Sequence, residues 1–341
     1  MTGRRENGVG KMDTIQMGQI TVYPFGLALT AGLLGCAVWI WKTVSGDRER
    51  KTMDCFWLIA LPLGLILARM VYALCSLDMI EDEFFEVLTE LPGSGFMFYG
   101  ALAGSVFALV IACRWQKVSF ARCADLLAGP FLLFGAACAL GEGLSGGGYG
   151  WKVEDWFTAE NGMSLFETEN PEGLVSFFGH FPFAVTDSYY GYASWAVFLP
   201  VAVFLLAALL FLCRIPMEKS GNRAVFSLSL YAAVRILYES LRQDDIPKWG
   251  FVRVNQILSA VILLLLVLYC WRKAEKGLPA SLAMLLGGAA LAGAMEFALE
   301  KKISFLEWMP MDVCYLLTGA GCILMFLAVN RLRKWGMEKT E

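Results

Sequence analysis

The sequence predicts an all-α polytopic membrane protein of about nine transmembrane helices, and three observations carry that expectation. Of its 341 residues, 57% are hydrophobic and only 17% charged, against about 25% charged in ordinary globular chains. Such an apolar surplus exceeds what one soluble core can hide. The surplus is also gathered into runs, and nine windows reach the roughly 20 mostly apolar residues that a bilayer core requires. Lysine and arginine, finally, recur in alternate loops, as cytoplasmic ends do.

In chain order the spans run roughly 19–42, 53–76, 95–114, 119–142, 191–213, 223–241, 252–271, 278–298 and 309–331, the sixth being the most polar. The first follows a polar tail, lacks a small-residue cleavage site and is too long for a signal-peptide core, so it reads as a retained helix. Lys42, Arg48, Arg50 and Lys51 follow the first span, and Arg114, Lys117 and Arg122 the third. Arg214, Lys219 and Arg223 follow the fifth, Arg272, Lys273 and Lys276 the seventh, and Arg331, Arg333, Lys334 and Lys339 close the chain. The segment after the second span is acidic instead, with Asp78, Glu81, Asp82, Glu83, Glu86 and Glu90 and no basic residue. These ends predict a multi-pass protein of the cell membrane with its N-terminus outside and its C-terminus cytoplasmic; Arg4, Arg5 and Lys11 of the tail are the opposing signs.

One connection, 146–190, is about 45 residues long, several times the usual length, which favours an extracytoplasmic cap over a plain tether. Trp151, Trp156, Phe157, Phe166, Phe177, Phe178, Phe181, Phe183, Tyr189 and Tyr190 suit it to the headgroup level, either gripping a substrate or serving as an interfacial belt. The ten cysteines, Cys36, Cys55, Cys75, Cys113, Cys123, Cys138, Cys213, Cys270, Cys314 and Cys322, lie in or beside apolar runs and read as small core residues. With no CxxC pair and His180 the one histidine, neither a metal site nor a Cys/His nucleophile is expected, and no cofactor is called for. The absence of a basic block interleaved with aromatics leaves nucleic acid out as a partner.

Ionisable residues inside spans cost several kcal/mol unless paired or hydrated. Arg69, in the middle third of the second span, has no neutralising residue in its own helix, so its partner is another helix, a water-filled cavity or a phosphate. Tyr231, Arg235 and Glu239 recur every fourth residue, one helical face over about 12 Å, and Arg242 continues the stripe. An arginine between a phenol and a carboxylate can hold a phosphate while the carboxylate orients it or shuttles a proton. For both arginines a structural ion pair is the alternative. The run Gly141-Glu142-Gly143-Leu144-Ser145-Gly146-Gly147-Gly148-Tyr149-Gly150 cannot propagate a stable helix; it lets backbone approach a ligand and exposes amides to anions. Glu142 within it is a candidate acid or base, or an arginine's partner. Asp125, Glu296 and Asp312 form no cluster and read as structural partners.

These pieces, in this order, resemble the prolipoprotein diacylglyceryl transferase family. The most specific stretch is Tyr231-Ala232-Ala233-Val234-Arg235-Ile236-Leu237-Tyr238-Glu239-Ser240-Leu241-Arg242-Gln243-Asp244-Asp245, followed by Asn255-Gln256-Ile257-Leu258-Ser259. Leu67 to Tyr72, Phe98 to Gly104, and Leu140-Gly141-Glu142 to Tyr149-Gly150 support it. The likeness covers roughly residues 20–275. It implies a seven-helix transferase-like core open to the outer leaflet, with two C-terminal helices outside it. The chain then divides into a polar tail (1–18), a membrane core (19–275, with the cap at 146–190), two further helices (276–331) and a cytoplasmic tail (332–341). The family moves the diacylglyceryl group of phosphatidylglycerol to the thiol of a lipobox cysteine in a secreted precursor, in lipoprotein biosynthesis. The resemblance therefore implies two partners, a phosphatidylglycerol-like phospholipid and the signal peptide of a precursor. It places catalysis on Arg235, Glu239 and Glu142 and substrate binding on Arg69, Tyr231, Tyr99, Gly141 and Gly150. The chain departs from the family where the signature arginine falls on Ala139, its asparagine on Glu142, its glutamate on Gly147, the histidine on Tyr99 and the first-helix tyrosine on Phe25. Those departures keep open an altered or inactive relative that binds phospholipid or signal peptide, and, behind it, a transporter.

Overall fold

The computed structural model describes residues 15–17, 20–76, 95–158, 164–186, 191–215, 220–244, 247–250, 252–302, 304–306 and 308–338. The acidic segment 78–90, the basic residues of the N-terminal tail, Lys219, Lys339, Tyr189 and Tyr190 lie outside them. Among the described residues, nine helices follow the nine apolar windows: α1 Pro24–Thr43, α2 Asp47–Cys75, α3 Phe98–Gln116, α4 Phe120–Leu144, α7 Phe198–Leu212, α8 Asn222–Leu241, α9 Val254–Ala274, α10 Leu278–Leu299 and α11 Met311–Glu338. Between α4 and α7 come two short helices, α5 Val153–Phe157 and α6 Glu172–Phe178, and the hairpin β3 Ala184–Thr186 with β4 Ala193–Trp195. Smaller hairpins precede α1 (β1 Ile15–Met17, β2 Ile20–Val22) and α9 (β5 Lys248–Trp249, β6 Val252–Arg253).

Eight of these helices are long and apolar enough to cross a membrane. The fifth expected span is corrected: α7 has 15 residues, about 22 Å at 1.5 Å per residue, short of a hydrocarbon core of about 30 Å. The first begins later than expected, because Ile20–Val22 pair in a hairpin and Pro24 starts the helix with its φ already set. Outward faces carry large apolar side chains, among them Leu34, Trp41, Leu58, Phe107, Leu210, Leu265, Leu286, Leu316 and Ile323. Water does not tolerate so continuous an apolar surface and lipid does. The protein is an all-α multi-pass membrane protein.

Small residues set the closest packing. A Cβ on Gly104 would lie 2.7 Å from the Gly64 Cα, and one on Gly100 2.7 Å from the Ala68 Cα, so α3 rides backbone to backbone on α2. Gly288 meets Gly321 in the same way between α10 and α11, whereas Gly287 and Gly293 face open space. At the centre stands α8, packed on α4, α7, α9 and α11, and it buries Ser227, Ser229, Tyr231, Arg235, Glu239 and Ser240. This is why the most polar window is still a core helix. Gly221 before it is left-handed and has no side-chain cap, and Asp125 of α4 supplies one by accepting the amides of Gly221 (2.6 Å) and Ala224 (2.8 Å). Of the cysteines, Cys36, Cys113, Cys123, Cys138, Cys270, Cys314 and Cys322 are buried; Cys55 and Cys75 are half-buried, and Cys213, just past the end of α7, is exposed, against expectation.

The segment between α4 and α7 has a small core of its own, Val153, Phe157 and Ala184, closed by Phe178 and Trp195. Its aromatics divide accordingly: Phe157 and Phe178 stack at 5.6 Å, while Phe166, Phe177, Phe181 and Phe183 stay exposed. Trp151 instead donates to the Tyr315 hydroxyl at 2.9 Å and Trp156 stacks on that ring, anchoring the segment to α11.

Candidate active site

The C-terminal ends of α2, α4 and α8 and the N-terminal ends of α3 and α9 meet at one end of the bundle, and the candidate site residues collect there. On α8 the fourfold spacing brings Arg235 Nε to 2.6 Å from Glu239 Oε1. The other side of the guanidinium faces α4, where Nη2 donates to Glu142 Oε1 at 3.3 Å. Arg242 donates from Nη1 to Glu142 Oε2 at 3.0 Å, and the Tyr238 hydroxyl donates to that same oxygen at 2.8 Å. Glu142 is thus the shared counter-ion of two arginines. Arg242 also grips Asp244 with two donors, Nε to Oδ1 at 2.7 Å and Nη2 to Oδ2. The Gly148 amide, in a left-handed turn where a Cβ would strike the Tyr238 hydroxyl, donates to Asp244 Oδ2 at 3.0 Å. Burial alone would push the Asp244 carboxyl up, but the hydrogen bonds and charge of Arg242, with the Gly148 amide, outweigh it and hold the group below the usual carboxylate range.

Accessibility within the cluster is graded. The side chains of Glu239, Arg242 and Arg235 are 0%, 5% and 9% exposed, whereas Glu142 and Asp244 keep 22% and 23%. Any ligand therefore reaches the arginines past Glu142 and Asp244. Glu239 is the anchor: Oε1 takes the contact from Arg235 and the amide of Asn255 at 2.9 Å.

The other expected residues surround this centre. Tyr231 is buried against Phe98, Phe131 and Tyr99. The Tyr99 hydroxyl shares a 2.5 Å hydrogen bond with Ser259. Arg69 lies six residues before the end of α2 rather than mid-span, where it donates to the Gly95 carbonyl at 3.0 Å and lies over the Phe96 ring. Its observed contacts are at the start of α3, and the guanidinium groups seen on Glu142 are those of Arg235 and Arg242. The glycine run does not break α4 at once, for the helix continues to Leu144. A Cβ on Gly141 would come within 3.0 Å of Phe25, and one on Gly150 within 2.9 Å of Val197, so both glycines serve close packing. Ala139, where the resemblance puts the family's signature arginine, is buried and brings no charge.

Roles for Tyr238, Asp244, Arg253, Asn255 and Gln256 were not assigned from the sequence. Tyr238 sits three residues from Arg235 on the same face, so helical spacing could have found it. Asp244 and Arg253 lie between α8 and α9, where periodicity carries no signal, and Asn255 and Gln256 open α9, whose packing on α8 the sequence does not show. Among the described residues no group of three or more His, Cys, Asp and Glu is arranged to hold a metal ion.

The family model described as prolipoprotein diacylglyceryl transferase matches residues 13–272. The chain belongs to that family. Relatives named phosphatidylglycerol–prolipoprotein diacylglyceryl transferase agree over most of their own length. The one from Listeria welshimeri is 25% identical over 262 residues, 76% of this chain and 89% of its own. That from Symbiobacterium thermophilum is 26% identical over 269 residues, 77% and 94% of the two chains, and that from Bacillus cereus 25% over 258 residues, 75% and 89%. The family match ends inside α9, so α10 and α11 lie outside it.

Proposed function

We propose that this chain transfers the diacylglyceryl group of phosphatidylglycerol, or of a phospholipid with a similar head, to the cysteine thiol of a lipobox peptide. The observation that carries the reading is the pairing of Arg235 and Arg242 through Glu142, the more accessible acid between them, whose 3.3 Å bond to Arg235 is longer than its bonds to Arg242 (3.0 Å) and to the Tyr238 hydroxyl (2.8 Å). A lipid phosphate, like a carboxylate, can take bidentate charge-assisted bonds from guanidinium groups, and so competes with Glu142 for the pair. Its arrival displaces Glu142, which is then free to take the thiol proton. The thiolate attacks the glyceryl carbon bearing the phosphate ester. A carbon–sulfur bond forms as the carbon–oxygen bond breaks, and the electron pair leaves on glycerol phosphate. Arg235 and Arg242 stabilise the charge that develops on that oxygen. Glu239 and Asn255 fix the Arg235 guanidinium, while Tyr231, Tyr99 and Arg69 line the lipid side.

Orientation belongs to the same proposal. The basic residues Arg48, Arg50, Lys51, Arg114, Lys117 and Arg122 lie at the end of the bundle opposite the site, which supports an orientation with the site and the segment between α4 and α7 outside and the C-terminus in the cytoplasm. A second reading, lipid binding without turnover, is favoured by the uncharged Ala139 and by the Tyr99 hydroxyl already engaged by Ser259. Transfer by the parent separates the two, and Arg235→Ala tests the residue. On the transferase reading that variant lowers transfer to a lipobox peptide by about a hundredfold or more, whereas unchanged transfer removes Arg235 from the reaction.

A further inference from the structure

Helices α10 and α11 lie outside the stretch that matches the family, yet they reach into its site. Glu296, near the end of α10, is buried, and its Oε1 accepts the Gln256 side-chain amide at 2.6 Å and the Ser240 hydroxyl. Gln256 Oε1 in turn accepts the Arg253 backbone amide at 3.0 Å, closing the first turn of α9. The Arg253 guanidinium donates to the Arg242 carbonyl, at the residue that caps α8. An unbroken chain of hydrogen bonds therefore runs from Glu296 through Gln256 and Arg253 to the arginine that holds Glu142 and Asp244. Helix α11 also grips the outer segment through Asp312, whose Oδ2 accepts the Leu165 amide at 3.0 Å and the Ser164 hydroxyl at 3.3 Å.

We infer that Glu296 is a positioning residue of the site and that α10 and α11 are part of its machinery, holding Arg242 in place from outside the family core. Its kinetic consequence rests on the transferase reading; its structural consequence does not. Removing the carboxylate frees Gln256 to turn, releases the first turn of α9 and loosens Arg242 together with its bridge to Asp244. A misplacement of that kind, of an ångström or less, costs rate more than binding.

The test uses the full chain in phosphatidylglycerol-containing detergent micelles, with Glu296→Ala, Glu296→Gln and, as a control on the lipid face of α10, Leu286→Ala. Glu296→Ala is expected to lower kcat about tenfold with KM for phosphatidylglycerol within about twofold. Glu296→Gln keeps an acceptor oxygen and should restore kcat to within about threefold of the parent. Hydrogen exchange at the Gly148 amide, which reports the Arg242–Asp244 bridge without any turnover, should quicken about tenfold in Glu296→Ala, and not in Glu296→Gln or Leu286→Ala. Parental kcat and unchanged Gly148 exchange in Glu296→Ala overturn the inference, as does equal damage by Ala and Gln with a lowered melting temperature in both. If the parent shows no transfer, the transferase reading falls, and Gly148 exchange alone decides the inference.

Discussion

Asp244 lies between the Arg242 guanidinium and the Gly148 amide, and those donors outweigh its burial. Because its carboxyl titrates lower in the folded protein than in the unfolded chain, its contribution to stability is fully present above the ordinary carboxylate pKa, about 3.9. It fades as pH falls through the depressed folded value. Comparing melting temperatures of the parent and Asp244→Asn should therefore give a constant gap from pH 7 to about pH 4 that closes below it; a gap that widens in acid contradicts the assignment. At this scale the sequence was only half legible. Arg235 and Glu239 could be paired because helical spacing dictates their contact. Glu142 and Arg242, 100 positions apart, could not, since only the packing of α4 on α8 joins them.

Among the elements, α8 is the most exacting, a polar helix placed at the centre and begun by a residue that cannot cap it. Asp125→Ala strips two amides of their acceptor and should cost about 1–3 kcal/mol, seen as a lower melting temperature, with transfer per folded molecule unchanged. An unaltered melting temperature would show that the α8 start is satisfied elsewhere. All nine helices were legible from apolar runs, but the length of α7 was not, because the run continues through β4 and the residues after it, which bend away from the helix. The end of α4 was likewise blurred, since glycines that break isolated helices are tolerated where a neighbour packs on them.

At the scale of the whole molecule, the charged site residues Glu142, Arg235, Glu239, Arg242 and Asp244 sit toward one end of the bundle, and Arg48, Arg50, Lys51, Arg114, Lys117 and Arg122 at the other. Single cysteines at the exposed Phe166 and at Arg114, in a background lacking exposed Cys213, test this in intact cells. A membrane-impermeant maleimide should label the first and not the second; the reverse pattern inverts the orientation. The membrane class and the family were legible because composition and motif spacing survive divergence. The contribution of α10 and α11 was not, since Glu296 declares its role only through Gln256 and Ser240. The central claim, that the paired arginines and their shared Glu142 perform lipid transfer, is tested most directly by following a radiolabelled diacylglyceryl group from phosphatidylglycerol to a lipobox peptide with the purified parent, Arg235→Ala and Glu142→Ala. The account predicts transfer by the parent and its loss in both variants. Absence of transfer by the parent, with phosphatidylglycerol still bound through Arg235, would contradict it and leave a lipid-binding relative that keeps the cradle without the chemistry.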